Sequence, residues 1–397
     1  MVSRKKQRLI QILTIIAILL SVVFTGRGLF LLGVHNEKPN DLALRWRELR
    51  YVQKGVNPYD LSDFLFRKET GLPPVDKPVK IDPELGGTSI ASGYPPWAFL
   101  WSAIFIPPVG WTFARLWFFG VNLAALTVIA IFAWKILKNG KPLERLFVVS
   151  CVLSANSIGT TFGNGQWGII LCALLILITY SLRQKKTTFP GFMYAVVLLK
   201  PTFGFAFAPL FARNRSWISF VLAGLLTTSA WILVTGHVGS RPIEMLHQML
   251  DQTAKWKDCS YSIPDAVVAI GLPRSLVVLG CLGAGVIIAW RMVTIGPDDP
   301  TYQLAVCGTI ARIFSYHQLY DNVLIIFLVA AIAKLFLERD KLSDIFVMLA
   351  VLISIWIPGR FTSVPLIQIF QLVSWAGGLF WLANRLKKNP SAPISLY

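Results

Sequence analysis

Apolar residues in this chain come in blocks too long for the interior of an ordinary globular fold. Leu9–Leu32, Phe113–Ile136 and Phe361–Leu382 each exceed the roughly 20 residues that a helix needs to cross a bilayer core. Inside a bilayer, backbone groups must find partners within their own segment, so such blocks are helices. Composition agrees: 55% of residues are hydrophobic and 15% charged, against about 25% charged in a soluble domain. Disorder and an ordinary soluble enzyme are excluded. The expected fold class is an all-α polytopic membrane protein, one integral-membrane domain over residues 1–397.

The formal charge is +18, and its distribution is a topology signal rather than a sign of nucleic-acid binding. Seven short basic clusters flank apolar blocks: Arg4–Arg8, Lys135–Arg145, Arg183–Lys186, Arg213/Arg215, Arg291, Lys334–Lys341 and Arg385–Lys388. The long loops, residues 35–93 and 236–274, balance their charges at nine against nine and four against four. Short basic loops stay in the cytoplasm. Both termini are therefore expected inside, with 35–93 as a first outer loop and 236–274 as a second. The basic start followed by a span of about 24 residues, with no small-x-small site, reads as an uncleaved signal anchor.

Every basic cluster falls inside if two segments fail to cross. Tyr94–Pro108 is only 15 residues long, and Phe189–Ala212 is interrupted by Lys200-Pro201. We expect the first not to cross fully and the second to be a hairpin, within a total of about 10–12 membrane segments. Non-helical backbone at membrane depth needs protein or a watery cavity beside it, so an outward-facing cavity is expected. In the first loop, Asp41–Lys54 carries Leu42, Trp46 and Leu49 on one helical side. Arg47, Glu48, Arg50 and Lys54 lie away from them and Arg45 near the border, the pattern of a helix lying in the membrane surface. Asn40 or Asp41 is its expected cap, and Gly55 its stop.

Arg27, Arg115, Lys200, Arg312 and Arg360 are cations in or beside apolar spans, and Asp321 is the acid among them. Intramembrane charges face a cavity or a partner, or snorkel to headgroups; gathered at an outer cavity, the cations suit a phosphate. Asp41, at the membrane–water boundary, is placed either to take a proton from a hydroxyl or to cap a helix. Glu37, Glu48, Asp60 and Asp63 compete for the base role. His317 stands four residues before Asp321, a spacing that lets a carboxylate orient the ring. Gly163-Asn164-Gly165-Gln166 is a polar turn between apolar blocks. There is no CxxC pair or Cys/His cluster and no phosphate-binding Gly-rich loop, so no metal site, disulfide framework or cofactor is expected.

These features stand in an order that resembles glycosyltransferase family 87, a bacterial family with the GT-C membrane fold. The tags are Asp41 soon after the first span, Gly55-Val56-Asn57-Pro58-Tyr59, Tyr94-Pro95-Pro96, Ala114–Trp117 with Asn122 behind it, Gly165-Gln166, Lys200-Pro201, and the turn holding His317 and Asp321. The resemblance covers roughly residues 1–340. The chain departs from the family pattern after Asp41, where Leu42-Ala43-Leu44 replaces an aromatic, and after Gln166, where Trp167 replaces Asn. The resemblance implies an inverting hexosyltransferase, mannose favoured. Its donor would be a polyprenyl-phosphate sugar, its acceptor an envelope lipid or glycan, its place the outer face of the bacterial plasma membrane. Asp41 would be the catalytic base. Lys200, Arg312, Arg115 and His317 would hold the donor phosphate, and Gln166, Asn164, Tyr94 and Asp321 the sugar or acceptor. Trp97, Trp101 and Trp117 would offer apolar surface to the polyprenyl chain. A lipid-linked-sugar flippase or exporter and a non-catalytic scaffold for envelope assembly remain as alternatives.

Overall fold

The computed structural model describes residues 4–33, 41–73, 79, 81–87, 93–254, 262–339, 341–362 and 364–387. All regular structure among them is helical. The chain is an all-α polytopic membrane protein. Six helical segments are long and apolar enough to cross a bilayer. They are α1 (Arg4–Gly33), α5 (Trp111–Lys135), α12 (Trp217–His237), α15 (Arg274–Ile295), the continuous segment Leu319–Glu338, and α19 (Pro365–Lys387, apolar to Leu386). A seventh is built from α6 (Pro142–Leu153) and α7 (Asn156–Asn164), bent by 48°. Three shorter apolar helices accompany them: α8 (Gly168–Arg183), α9 (Thr188–Val197) and α18 (Leu342–Trp356). By length and apolarity, six or seven of these among the described residues can cross a bilayer.

The remaining helices are α2 (Asp41–Gln53), α3 (Pro58–Thr70), α4 (Ala98–Phe105), α10 (Pro201–Gly204), α11 (Ala208–Arg213), α13 (Pro242–Ala254), α14 (Ile263–Ala269), α16 (Pro300–Phe314) and α17 (Ile326–Glu338), the last preceded by a 3₁₀ segment, Leu319–Ile325. Successive helices run between two chemically different ends. At one end the basic clusters meet. Lys6 donates to the carbonyls of Leu337 and Arg339. Arg183 pairs with Asp298 at 2.7 Å, Lys334 with Asp299 at 2.7 Å, and Arg213 with Asp298 at 3.5 Å. Arg339 donates to the Arg385 carbonyl at 3.4 Å. Phe147, just past Arg145, packs on Phe336 with ring centroids 5.8 Å apart, which brings the Lys135–Arg145 cluster to the same end. At the opposite end lie α2, Gln166, Lys200 and His317.

Neither doubtful segment holds a helix of bilayer length among the described residues. α4 has eight residues, about 12 Å of helix. Both its flanks return to α2: Tyr94 bonds Gln166 beside Asp41, while Trp46 Nε1 and an Arg50 guanidinium N–H donate to the carbonyls of Val109 (2.8 Å) and Pro108 (2.7 Å). Residues 188–213 fold back on themselves. Tyr194 on α9 lies 4.7 Å, ring to ring, from Phe211 on α11 and donates to the Gly204 carbonyl at 3.0 Å. The hairpin tip is Lys200, whose successor Pro201 starts the short α10.

The local sequence explains the short helices of the first loop. Asn57 caps α3, accepting from the Tyr59 N–H at 3.0 Å with Pro58 at the first helical position, and Gly71 (φ +71°) ends it. Gly55 (φ +72°) stops α2 as expected. Asn40 lies outside the described residues. One expectation for α2 changes. Glu48 does not face water; it is buried and paired with buried Arg45 at 3.0 Å. The helix packs against α3, α4 and α5, so its polar border is enclosed, and a buried charge must then be paired.

α7 crosses α1 with almost no space between backbones. A Cβ on Gly159 would stand 2.1 Å from the Phe24 carbonyl oxygen, and one on Gly28 2.4 Å from the Gly159 carbonyl oxygen. Gly159→Ala is expected to force these helices apart. The cost is that of overpacking, about 1–3 kcal/mol, read as a lower thermal-unfolding midpoint of the purified protein; an unchanged midpoint would show that the crossing relaxes freely.

Candidate active site

The site is assembled where α7 ends. Gly165, at φ +64°, turns the chain back so that the N–H groups of Gly165 and Gln166 bond the carbonyls of Phe162 (3.0 Å) and Thr161 (2.9 Å). A Cβ at Gly165 would stand 2.3 Å from the Leu42 Cβ. Glycine therefore lets the start of α2 descend onto the turn. Gln166 follows, buried, and its Nε2 donates to Asp41 Oδ2. Its Oε1 accepts from the Tyr94 hydroxyl at 2.9 Å. The Tyr94 carbonyl accepts from the hydroxyl of fully buried Tyr59, and the Arg45 guanidinium lies 4.9 Å from the centre of the Tyr94 ring.

The hairpin tip and the turn after α16 supply the second half. Lys200 Nζ donates to Asp321 Oδ1 at 2.5 Å. Asp321 Oδ2 faces His317 Nδ1 at 3.1 Å and accepts from the Gln318 N–H at 3.1 Å. His317 Nε2 stands 2.8 Å from Ser315 Oγ and 3.0 Å from the Ala311 carbonyl. The Lys200 ammonium lies 5.0 Å from the ring centres of both Phe203 and Tyr320. The charges of Asp41 and Arg45 are within electrostatic reach of Lys200, and Tyr94 is within reach of Asp41 and Asp321. The two halves therefore face one another.

Of the residues expected from sequence, Asp41, Tyr94, Gln166, Lys200, His317 and Asp321 come together. Asp41, Tyr94 and Lys200 are half-buried, whereas His317 and Asp321 are buried at 0% and 1% exposure. Arg312 joins from beneath. It is buried, its Nε donates to Asn322 Oδ1 at 2.5 Å, and its guanidinium lies 5.2 Å from the Trp375 ring centre. Asn164 precedes the Gly165 turn and makes no side-chain hydrogen bond among the described residues. Arg115 sits one turn into α5, its Nε buried without a partner among the described residues; no described contact joins it to Lys200. Arg27 and Arg360 are exposed.

The rival bases are engaged or outside the description. Glu48 pairs with Arg45, Asp63 with Arg67 at 2.8 Å, and Asp60 accepts from Gln248 Nε2 at 2.5 Å. Glu37 lies outside the described residues. Among the tryptophans, Trp117 is exposed, Trp101 is buried, and half-buried Trp97 donates to the Leu198 carbonyl at 2.8 Å. Four residues beyond the expected set belong to the site: Arg45, Tyr59, Tyr320 and Trp375. The Arg45–Asp41 spacing of four was the available signal for the first, and the Asn57-Pro58-Tyr59 tag for the second. Nothing in the local sequence marks Tyr320 or Trp375. No His/Cys/Asp/Glu group suited to a metal ion occurs among the described residues.

No curated protein and no solved structure matches the chain. Residues 93–316 match the family model of glycosyltransferase family 87. The matched stretch holds Tyr94, Gln166, Lys200 and Arg312, and it ends one residue before His317. It covers more than half of the 397 residues, and the chain belongs to glycosyltransferase family 87, as a membrane glycosyltransferase.

Proposed function

We propose that this glycosyltransferase moves a hexose, mannose favoured, from a polyprenyl-phosphate sugar to an envelope lipid or glycan at the outer face of the bacterial plasma membrane. The observation that carries this reading is the position of Asp41. Its carboxylate stands at the start of a surface helix, held by Gln166 and opposite Lys200. An acceptor hydroxyl can approach such a carboxylate from the wet side while a lipid phosphate lies in the apolar side.

Asp41 takes the proton of the acceptor hydroxyl as its oxygen bonds to the anomeric carbon. The bond from that carbon to the phosphate oxygen breaks, and the electron pair leaves with polyprenyl phosphate. One displacement inverts the centre. A leaving phosphate already met by cations needs no proton. Lys200 is the half-buried cation facing the site. Arg312 adds positive charge from beneath, and Arg115, with its unpartnered Nε, contributes from α5. His317 keeps the Asp321 carboxylate fixed against Lys200. Asn164, whose side chain makes no hydrogen bond among the described residues, is the amide offered to sugar hydroxyls, while Tyr94, Gln166 and Asp321 commit their polar groups to Asp41, Lys200 and one another and shape the wall beside it. Asn57 ties the second outer loop to the first through Gln248 (2.8 Å) and Ser240 (3.2 Å), closing the outer side.

The grouping of the Arg4–Arg8, Lys135–Arg145, Arg183–Lys186, Arg213/Arg215, Lys334–Lys341 and Arg385–Lys388 clusters at the end away from Asp41 supports this orientation, since the positive-inside rule reads that end as cytoplasmic. Exposed Leu250 and Lys185 report on it. With the native Cys259 and Cys281 replaced by serine, Leu250→Cys is expected to react with an impermeant thiol reagent on intact cells, and Lys185→Cys only after lysis. External labelling at 185 would invert the topology.

Asp41→Asn keeps size and capping ability but loses the proton acceptor. Transfer should fall about 100-fold or more while the protein inserts and unfolds as before. Near-normal turnover would remove Asp41 as base. Lys200→Gln removes the cation and leaves Asp321 held by His317 and Gln318. The donor KM should rise about 10-fold or more, the worth of a charge-assisted hydrogen bond. An unchanged KM would place the phosphate elsewhere.

A further inference from the structure

Tyr94 is fixed at three points: the Tyr59 hydroxyl on its carbonyl, the Arg45 guanidinium on its ring face, and the Gln166 amide at its hydroxyl. Burial pushes both the Tyr59 and Tyr94 phenols well above their ordinary range, so each keeps its proton and donates. The Tyr94 hydroxyl therefore selects the amide oxygen of Gln166, and the amide nitrogen is left facing Asp41. A flipped amide would set its oxygen against a carboxylate oxygen and its nitrogen against a donor. Asp41 Oδ2 is occupied by this N–H, whereas Oδ1 accepts no hydrogen bond from the described residues. One carboxylate oxygen is pinned and the other is open.

We propose that Tyr94 and Gln166 are positioning residues, a relay from the first outer loop through the re-entrant segment that orients Asp41 so that its open oxygen meets the acceptor hydroxyl. The proposal rests on the reading of Asp41 as base and deepens it. It also assigns work to the Asn57-Pro58-Tyr59 tag, which carries no reacting group. Pro58 and the Asn57 cap set the first turn of α3, and that turn delivers the Tyr59 hydroxyl to Tyr94.

The test uses Gln166→Met, which keeps chain length without an amide, and Tyr94→Phe, which keeps the ring without the hydroxyl. The probe is transfer of labelled mannose from a short-chain polyprenyl-phosphate mannose to an envelope lipid extract. A relay predicts that kcat falls about 10- to 100-fold in each, the scale of a misplaced reacting group, with the donor KM unchanged. The double variant should be no worse than Gln166→Met alone, because both changes break one line of contacts. A raised KM with kcat retained, or losses that multiply in the double variant, would overturn the relay and make these side chains separate sugar contacts. A normal Asp41→Asn enzyme would sink the base reading instead, and the two failures are thus distinguishable. Infrared difference spectra of protein carrying ¹³C-labelled aspartate need no substrate. The carboxylate band that disappears in Asp41→Asn should shift in both Gln166→Met and Tyr94→Phe. No shift in either variant would overturn the contact itself, whatever donor the enzyme prefers.

Discussion

The site depends on a turn that has no side chain where two backbones meet. At Gly165 the left-handed conformation and the missing Cβ are required together. The first ends α7 one residue before Gln166, and the second lets Leu42 rest on the turn. The same economy recurs one helix-length away, where Gly28 and Gly159 bring α1 and α7 into backbone contact. Small residues at a helix crossing are the usual route to close packing in a membrane, where apolar side chains gain little by leaving lipid. Here the closeness has a chemical consequence. The first span and the bent span arrive side by side at the end that holds Asp41, so the loop that follows the first starts directly over the end of the second. Asp41 meets Gln166 because of that adjacency, across 125 positions of sequence.

Burying this many charges is tolerable only because they are paired. Asp321 is met by Lys200, His317 and the Gln318 N–H, and Arg45 by Glu48. Removing one partner of such a pair leaves an uncompensated charge, typically at a cost of about 3–5 kcal/mol, so the arrangement resists piecemeal change. The Lys200 ammonium is held on one side by Asp321 and flanked by the Phe203 and Tyr320 rings, so the fold itself fixes its orientation.

Much of this was legible in the sequence, for reasons that can be stated residue by residue. Block lengths identify crossing segments, since bilayer thickness sets a minimum helix length. The same threshold marks 94–108 and the split at Lys200-Pro201 as stretches without a helix of bilayer length. Charge placement groups the basic clusters because loop length and sign are local properties. Lys200, Arg312 and Asp321 stood out as ionisable groups in an apolar setting, Asp41 by its place at the membrane–water boundary, and His317 by standing four residues before Asp321. The partners of Asp41 did not. No local pattern says that Gln166 reaches Asp41 rather than a sugar, or that Tyr94 reaches Gln166, because these contacts are fixed by the tertiary crossing of α1 and α7. Glu48 was misjudged for a related reason. Its place on the polar side of α2 describes an isolated surface helix, whereas α3, α4 and α5 enclose that side.

The C-terminal helices lie beyond the stretch that matches the family, yet they reach the site. Trp375 on α19 covers the Arg312 guanidinium while its indole N–H donates to Ser354 Oγ on α18 at 2.9 Å. Gln371, one turn earlier, donates to the Ser354 carbonyl at 2.8 Å. Ser354 thus receives two side chains of α19 and locks the helix pair in the register that sets Trp375 over Arg312. An aromatic face attracts a guanidinium most where water is excluded. Asn322 takes the Nε hydrogen. The setting of the Arg312 guanidinium is therefore built partly by elements outside the stretch that matches the family.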